Sequence, residues 1–145
     1  MTAFQKRYNN GILIEGEFLR NFQKERKLTK IEDKYSPFDF IYKGQQIFVI
    51  ELKSRTVTKE AYSTTVIDEY KFEKAKKMLE LGNQFVLLVF KFTESEDFWY
   101  YKLTLDECQN LSECKLVQAF VYGKTKRLFN IPISKLKKLI DLDKI

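Results

Sequence analysis

Residues 38–53 constrain the fold more than any other part of the chain. Aromatic and β-branched residues crowd both sides of Gly44-Gln45-Gln46, the pattern of two strands joined as a β-hairpin. With that tripeptide as the loop, Lys43 faces Ile47, and counting back along both strands places Asp39 opposite Glu51. Lys53 shares their face, because strand side chains alternate with period two. The other face is then Phe38, Phe40, Tyr42, Phe48, Ile50 and Leu52, an apolar surface that sets the register, since a one-residue slip would bury the charges. The arrangement depends on loop length: a loop one residue shorter would put Asp39 and Glu51 on opposite faces.

The rest of the chain reads as elements that can cover such a hairpin. Over residues 11–27, Ile14, Phe18 and Phe22 recur every four positions with Leu19 alongside, predicting an amphipathic helix. Residues 55–63 are polar and form a loop or a short strand. Residues 65–81, closed by Gly82, are expected to be a second helix with Val66, Ile67, Tyr70, Met78 and Leu81 as its packed stripe and Lys71 and Lys74 within or beside it. Residues 84–92 and 97–103 read as strands joined by Thr93-Glu94-Ser95-Glu96, residues 116–122 as a further strand, and residues 134–142 as a terminal helix capped by Ser134. This order gives an α/β domain with one mixed sheet and helices against it, spanning residues 1–145 as one unit.

Composition narrows the chemistry. At 145 residues with 44% apolar and 15% aromatic content, the chain can bury a core without disulfide or metal staples. It has no His, and Cys108 and Cys114 match no zinc spacing, so neither a structural zinc nor a Ser-His or Cys-His nucleophile is expected. Carboxylates, Lys, Tyr or Arg must do any catalysis. The first residues carry no apolar signal core, so a reducing cytoplasm and reduced thiols are expected. No apolar run approaches the roughly 20 residues that span a bilayer, so no membrane association is expected. The excess of 26 Lys and Arg over 20 Asp and Glu favours an anionic partner such as nucleic acid.

Two carboxylates placed together on a hydrophobic hairpin repel unless something neutralises them. A hard divalent cation does so, with Asp39, Glu51 and the Leu52 carbonyl as oxygen ligands and positions left for water and a phosphate oxygen. Lys53 would orient the water or stabilise the transition-state charge. A cross-strand ion pair on a solvated face is the plainer alternative, although Ile41 and Val49 on the same face argue that it is covered.

Ser36-Pro37-Phe38-Asp39 followed by Glu51-Leu52-Lys53 resembles the signature of the PD-(D/E)XK nuclease superfamily. Asp39-Phe40-Ile41-Tyr42-Lys43-Gly44 and Gly11-Ile12-Leu13-Ile14-Glu15 are similar to the RecU type of Holliday junction resolvase, so that the resemblance covers about residues 11–103. It implies a restriction-endonuclease-like core, a central mixed sheet flanked by helices. It also implies Mg²⁺, with Mn²⁺ as a substitute, held by Asp39, Glu51, the Leu52 carbonyl and a helix acid at Glu15, with Lys53 assisting the nucleophile and Lys71 beside the site. On a helical wheel Glu15 falls within about 60° of Phe18 and Glu17 points away, which favours Glu15 as that acid. The chain departs from the RecU pattern at Tyr70-Lys71, where a Gln-rich helix start is usual, and in the short interval before Asp39.

The function implied is a Mg²⁺-dependent endonuclease on branched DNA, working as a homodimer because symmetric cutting of two strands calls for two sites. A restriction- or repair-type nuclease on duplex or ends is an alternative, and so is a non-catalytic DNA-binding module of the same fold. Arg55, Lys124, Lys126 and Arg127 are candidate DNA contacts, the last three forming a basic turn. Trp99, Tyr100 and Tyr101 read as base-stacking residues or, more simply, as core or a dimer face.

Overall fold

The structure, a computed structural model, describes residues 2–113, 116–121 and 124–145, and their side chains outside residues 112–126. The chain opens with helix α1 (Ala3–Phe22), started by a capping box in which Thr2 and Gln5 exchange side-chain-to-backbone hydrogen bonds. It begins earlier than the apolar stripe suggests, because that stripe marks only the half that packs on the body of the protein. It also ends earlier: Glu25 and Arg26 adopt left-handed backbone conformations and turn the chain into β1 (Leu28–Lys30).

Strands β2 (Phe40–Lys43) and β3 (Ile47–Arg55) form the expected hairpin, with Lys43 paired to Ile47 and Phe40 to Ile50. Next come β4 (Thr64–Asp68) and helix α2 (Glu69–Glu80). The single helix expected over residues 65–81 is therefore corrected to a strand followed by a shorter helix. Thr64, Thr65, Val66 and Ile67 are β-branched and pair with a later strand, and Asp68 then caps α2 by accepting from the Lys71 amide at 2.8 Å. The buried stripe of α2 is Phe72, Ala75 and Leu79, whereas Tyr70 and Leu81 are exposed. Gly82, at φ 89°, terminates it in a backbone conformation suited to glycine.

The chain continues through β5 (Phe85–Phe92), β6 (Phe98–Leu103), α3 (Leu105–Glu113), β7 (Leu116–Val121), β8 (Lys124–Pro132) and β9 (Lys137–Lys138). The terminal helix expected over residues 134–142 is not formed. Leu136, Leu139 and Leu142 have helical spacing and are buried, but they anchor an irregular segment with two 3₁₀ turns whose β9 pairs with β6. The basic turn expected at residues 124–127 is instead the start of β8.

One six-stranded sheet runs β1-β2-β3-β5-β6-β9, with β3 and β5 parallel and its other neighbours antiparallel. A three-stranded sheet, β4-β8-β7, stands apart from it. The parallel pair needs a crossover, and β4 with α2 supplies it. The large sheet separates two cores. Phe18 of α1 packs on Phe40, Phe98 and their neighbours on one face, while Val49, Leu88 and Phe90 face Phe72, Ala75, Phe129 and Ile131 on the other. The result is an α/β architecture with a mixed sheet flanked by helices, consistent with a restriction-endonuclease-like core. Phe38 joins the α2 side and not the face of Phe40, because the chain bends before the β2 ladder begins and breaks the alternation. Cys108 is buried and Cys114 lies outside the described residues. No helix among the described residues is long and apolar enough to cross a membrane.

Candidate active site

Glu51 stands in the middle of β3, on the face covered by α2 and the small sheet, with its side chain only 4% exposed. Both its oxygens are engaged: Lys53 Nζ lies 3.1 Å from Oε1 and Lys71 Nζ 3.2 Å from Oε2. Strand periodicity places Lys53, and the first turn of α2 places Lys71, whose ammonium also donates to the Pro37 carbonyl. The two ammonium groups offset the cost of burying this carboxylate away from water.

Asp39 sits just before β2. Its amide donates to the Ile50 carbonyl at 2.8 Å, and its carboxylate Oδ2 accepts from the Leu52 amide at 2.8 Å. The ladder starts only at Phe40, so Asp39 reaches across to the backbone between Glu51 and Lys53. Burial, and then the nearby charge of Glu51, push its carboxyl up to about 6, with Glu15 adding a smaller contribution and the Leu52 amide opposing. Asp39 is therefore a carboxylate whose charge is disfavoured by burial and by Glu51.

Glu15 lies on α1 and pairs with Lys30 of β1 at 2.8 Å, while Glu17 is turned towards Lys91, 3.6 Å away. Of the two, Glu15 contributes to raising the Asp39 carboxyl. Among the described residues, no three Asp, Glu, His or Cys side chains converge as a metal-ligating group.

Glu51 and Lys53 line a cavity of about 250 Å³ floored by Leu88 and Phe90, which neighbour them on β5. Arg55 and Asp68 complete its polar wall. Arg55 is tied to β4, donating from Nε to Thr65 Oγ1 at 3.2 Å and from a terminal nitrogen to the Val66 carbonyl at 2.6 Å, and burial holds its guanidinium below its ordinary pKa. Asp68 was not among the residues singled out from sequence. Its signal, an Asp directly after a β-branched run and before a helical pattern, is that of a helix cap and was masked by reading the run as helix.

Arg127 pairs with Glu69 at 3.3 Å on the surface, while Lys124 and Lys126 have described backbone on β8 but side chains outside the described set. Tyr101 is buried and Trp99 and Tyr100 pack against the two cores, so this aromatic run serves the interior.

Fold and site together define an α/β protein with a carboxylate and lysine centre on a central strand. No protein-family model matches the chain, and no curated protein matches its sequence. Among solved structures it is similar to Hjc of Archaeoglobus fulgidus, a Holliday junction resolvase from an archaeal hyperthermophile, with a TM-score of 0.48 and 16% identity over 89% of this chain and 88% of that one.

Proposed function

We propose that this chain is a Mg²⁺-dependent endodeoxyribonuclease that cuts branched DNA as a homodimer, with Mn²⁺ as an alternative ion. The observation that carries the reading is the placement of Asp39 and Glu51 on either side of Leu52, with Lys53 and Lys71 on the buried Glu51. The residues fit a hard cation: Asp39 is an oxygen donor whose carboxyl is pushed up by burial and by the neighbouring Glu51, a cost that a bound cation would relieve. Mg²⁺ commonly takes one or two protein carboxylates and keeps several waters, so a cluster of three acids is not required. Asp39, Glu51 and the Leu52 carbonyl would hold the ion, with Glu15 acting on the site by its charge.

When bound, the ion supplies Lewis acidity to a phosphate oxygen and to water. The protein contributes the rest. Lys53, the more exposed of the two lysines, is placed to turn from Glu51 towards an incoming phosphate or to orient the attacking water. Lys71, held by the Pro37 carbonyl, pairs with Glu51 and fixes its side chain. Leu88 and Phe90 keep the cavity floor dry, which strengthens each charge interaction above it.

A specific observation favours a second reading, a non-catalytic DNA-binding module. Glu51 and Glu15 are already neutralised by lysines within the protein, and a site that only preserves the fold would look the same. Cleavage of a four-way junction and of linear duplex, in Mg²⁺ and in EDTA, separates the two. Metal-dependent cutting that Asp39→Ala and Glu51→Ala abolish supports the nuclease. Identical behaviour of wild type and both variants on every substrate overturns it, and salt-sensitive binding without turnover then supports the module. Equal cutting of junction and duplex would remove only the preference for branched DNA.

A further inference from the structure

Beside the Glu51 and Lys53 cavity lies a second one of about 240 Å³, between the loop that follows β3 and strand β4. Arg55 and Val66 line both, so the two are neighbours across one shared wall. Val57 and Phe92 give the second cavity apolar sides, and Tyr62, 66% exposed, stands in its lining. Arg55 and Lys59 bring positive charge. Lys59 is itself held in place, its ammonium 4.1 Å from the centre of the Trp99 ring.

We propose that this second cavity accepts one unpaired nucleobase from the strand whose phosphate lies at Glu51 and Lys53. The inference rests on the nuclease reading and deepens it. Drug-sized ligands occupy roughly 300–1,000 Å³, so a space this small suits a single ring system. Apolar sides and an exposed tyrosine favour a flat aromatic base by stacking, and the Lys59 ammonium suits a phosphate beside it. Continuity through Arg55 makes the occupant a neighbour of the scissile phosphate and not a separate ligand. A base inside a duplex cannot enter. Extruding one costs a few kcal/mol and least where the base is already unpaired, so the cavity gives the enzyme a physical reason to prefer branch points, flaps or mismatches.

The test is a binding cycle on forked DNA with Ca²⁺ in place of Mg²⁺, scanning an abasic nucleotide through the branch point, with wild type, Val57→Trp to fill the cavity, and Tyr62→Ala. Wild type is expected to show one position where removing the base weakens binding roughly tenfold, as loss of one stacked base does. Val57→Trp should lose as much on intact DNA and nothing further on the DNA abasic at that position. Tyr62→Ala, on an exposed residue and so safe for folding, should show the same non-additivity with a smaller loss, and it carries the test if Val57→Trp does not fold. Absence of any sensitive position, or losses that multiply, overturns the inference while leaving the nuclease reading intact. Failure of wild type to bind any DNA overturns both.

Discussion

Lys71 reaches from the first turn of α2 to place its ammonium 3.2 Å from Glu51 Oε2, joining the crossover helix to the central strand through a carboxylate that is only 4% exposed. Removing one partner of a buried charge leaves the other unsatisfied, and hydrogen bonds to charged groups contribute about 1.5–3 kcal/mol. Lys71→Met is therefore expected to destabilise the metal-free protein by about that amount in urea unfolding. Adding Glu51→Gln should recover part of the loss, because the uncompensated charge is gone. Strict additivity of the two substitutions would show that the pair does not interact.

Asp39 supplies a pH dependence of opposite sign to that of most carboxylates. Its folded pKa of about 6 lies above the unfolded value near 3.9, so the native state holds the proton more tightly. Stability of the metal-free protein should thus fall as pH rises from about 4 to about 6 and stay reduced above that. Asp39→Asn keeps an acceptor for the Leu52 amide and removes the charge. It is expected to raise stability at pH 7 by about 1–2 kcal/mol and to flatten the dependence across that window. Mg²⁺ should raise the Tm of wild type and leave that of Asp39→Asn unchanged. A destabilised Asp39→Asn variant at pH 7 would contradict the account.

These two predictions use parts of the molecule that differ in how openly the sequence displays them. The hairpin was legible because burial on both sides of β3 leaves a continuous aromatic and β-branched run at residues 47–50 next to a glycine-containing loop, and the pairing of Lys43 with Ile47 follows from that loop's length. The approach of Lys71 to Glu51 was not legible from periodicity, since Val66, Ile67 and Tyr70 mimic a helical stripe while belonging to a strand and an exposed helix face. Tertiary pairing with β8 decided the matter. The C-terminal segment misled in the same way. Leu136, Leu139 and Leu142 repeat every three residues, yet Lys137 and Lys138 complete the sheet edge, where exposed lysines also discourage further strand pairing. Helix α3 went unread because its amphipathic pattern over Leu105–Glu113 is short and follows directly on the aromatic-rich strand β6.

Asp143 ties the C-terminal segment to the first strands, accepting from Tyr42 Oη at 2.7 Å, from Lys27 Nζ at 3.1 Å and pairing with Lys24 at 3.2 Å. The Tyr42 hydroxyl, and then Lys27, hold its carboxyl down at about 2, below the unfolded value. Its stabilising contribution is complete above about pH 4 and is lost as pH falls from there through about 2. Asp143→Asn should therefore lower the Tm at pH 7 and make the remaining acid dependence between pH 4 and 2 shallower than in wild type. Parallel melting curves across that interval would show that Asp143 does not latch the segment.

Gly44 opens the hairpin loop directly beneath this latch. A Cβ there would stand 2.5 Å from Asp143 Oδ1 and 2.7 Å from Tyr42 Cε1, distances that real Cβ atoms essentially never show. Asp143 Oδ1 and the buried Tyr42 ring both stand in the way, and displacing Asp143 costs its bond to Tyr42. Gly44→Ala is expected to destabilise by about 1–3 kcal/mol, the usual cost of overpacking. The mechanism predicts a specific dependence: in an Asp143→Ala background the carboxylate obstacle is absent, and the same glycine substitution should then cost less, the remainder coming from the Tyr42 ring. Urea unfolding at pH 7 of wild type, both single variants and the double variant measures this coupling. If Gly44→Ala costs equally in both backgrounds, the obstruction lies with the Tyr42 ring, and the hairpin loop is independent of the C-terminal latch.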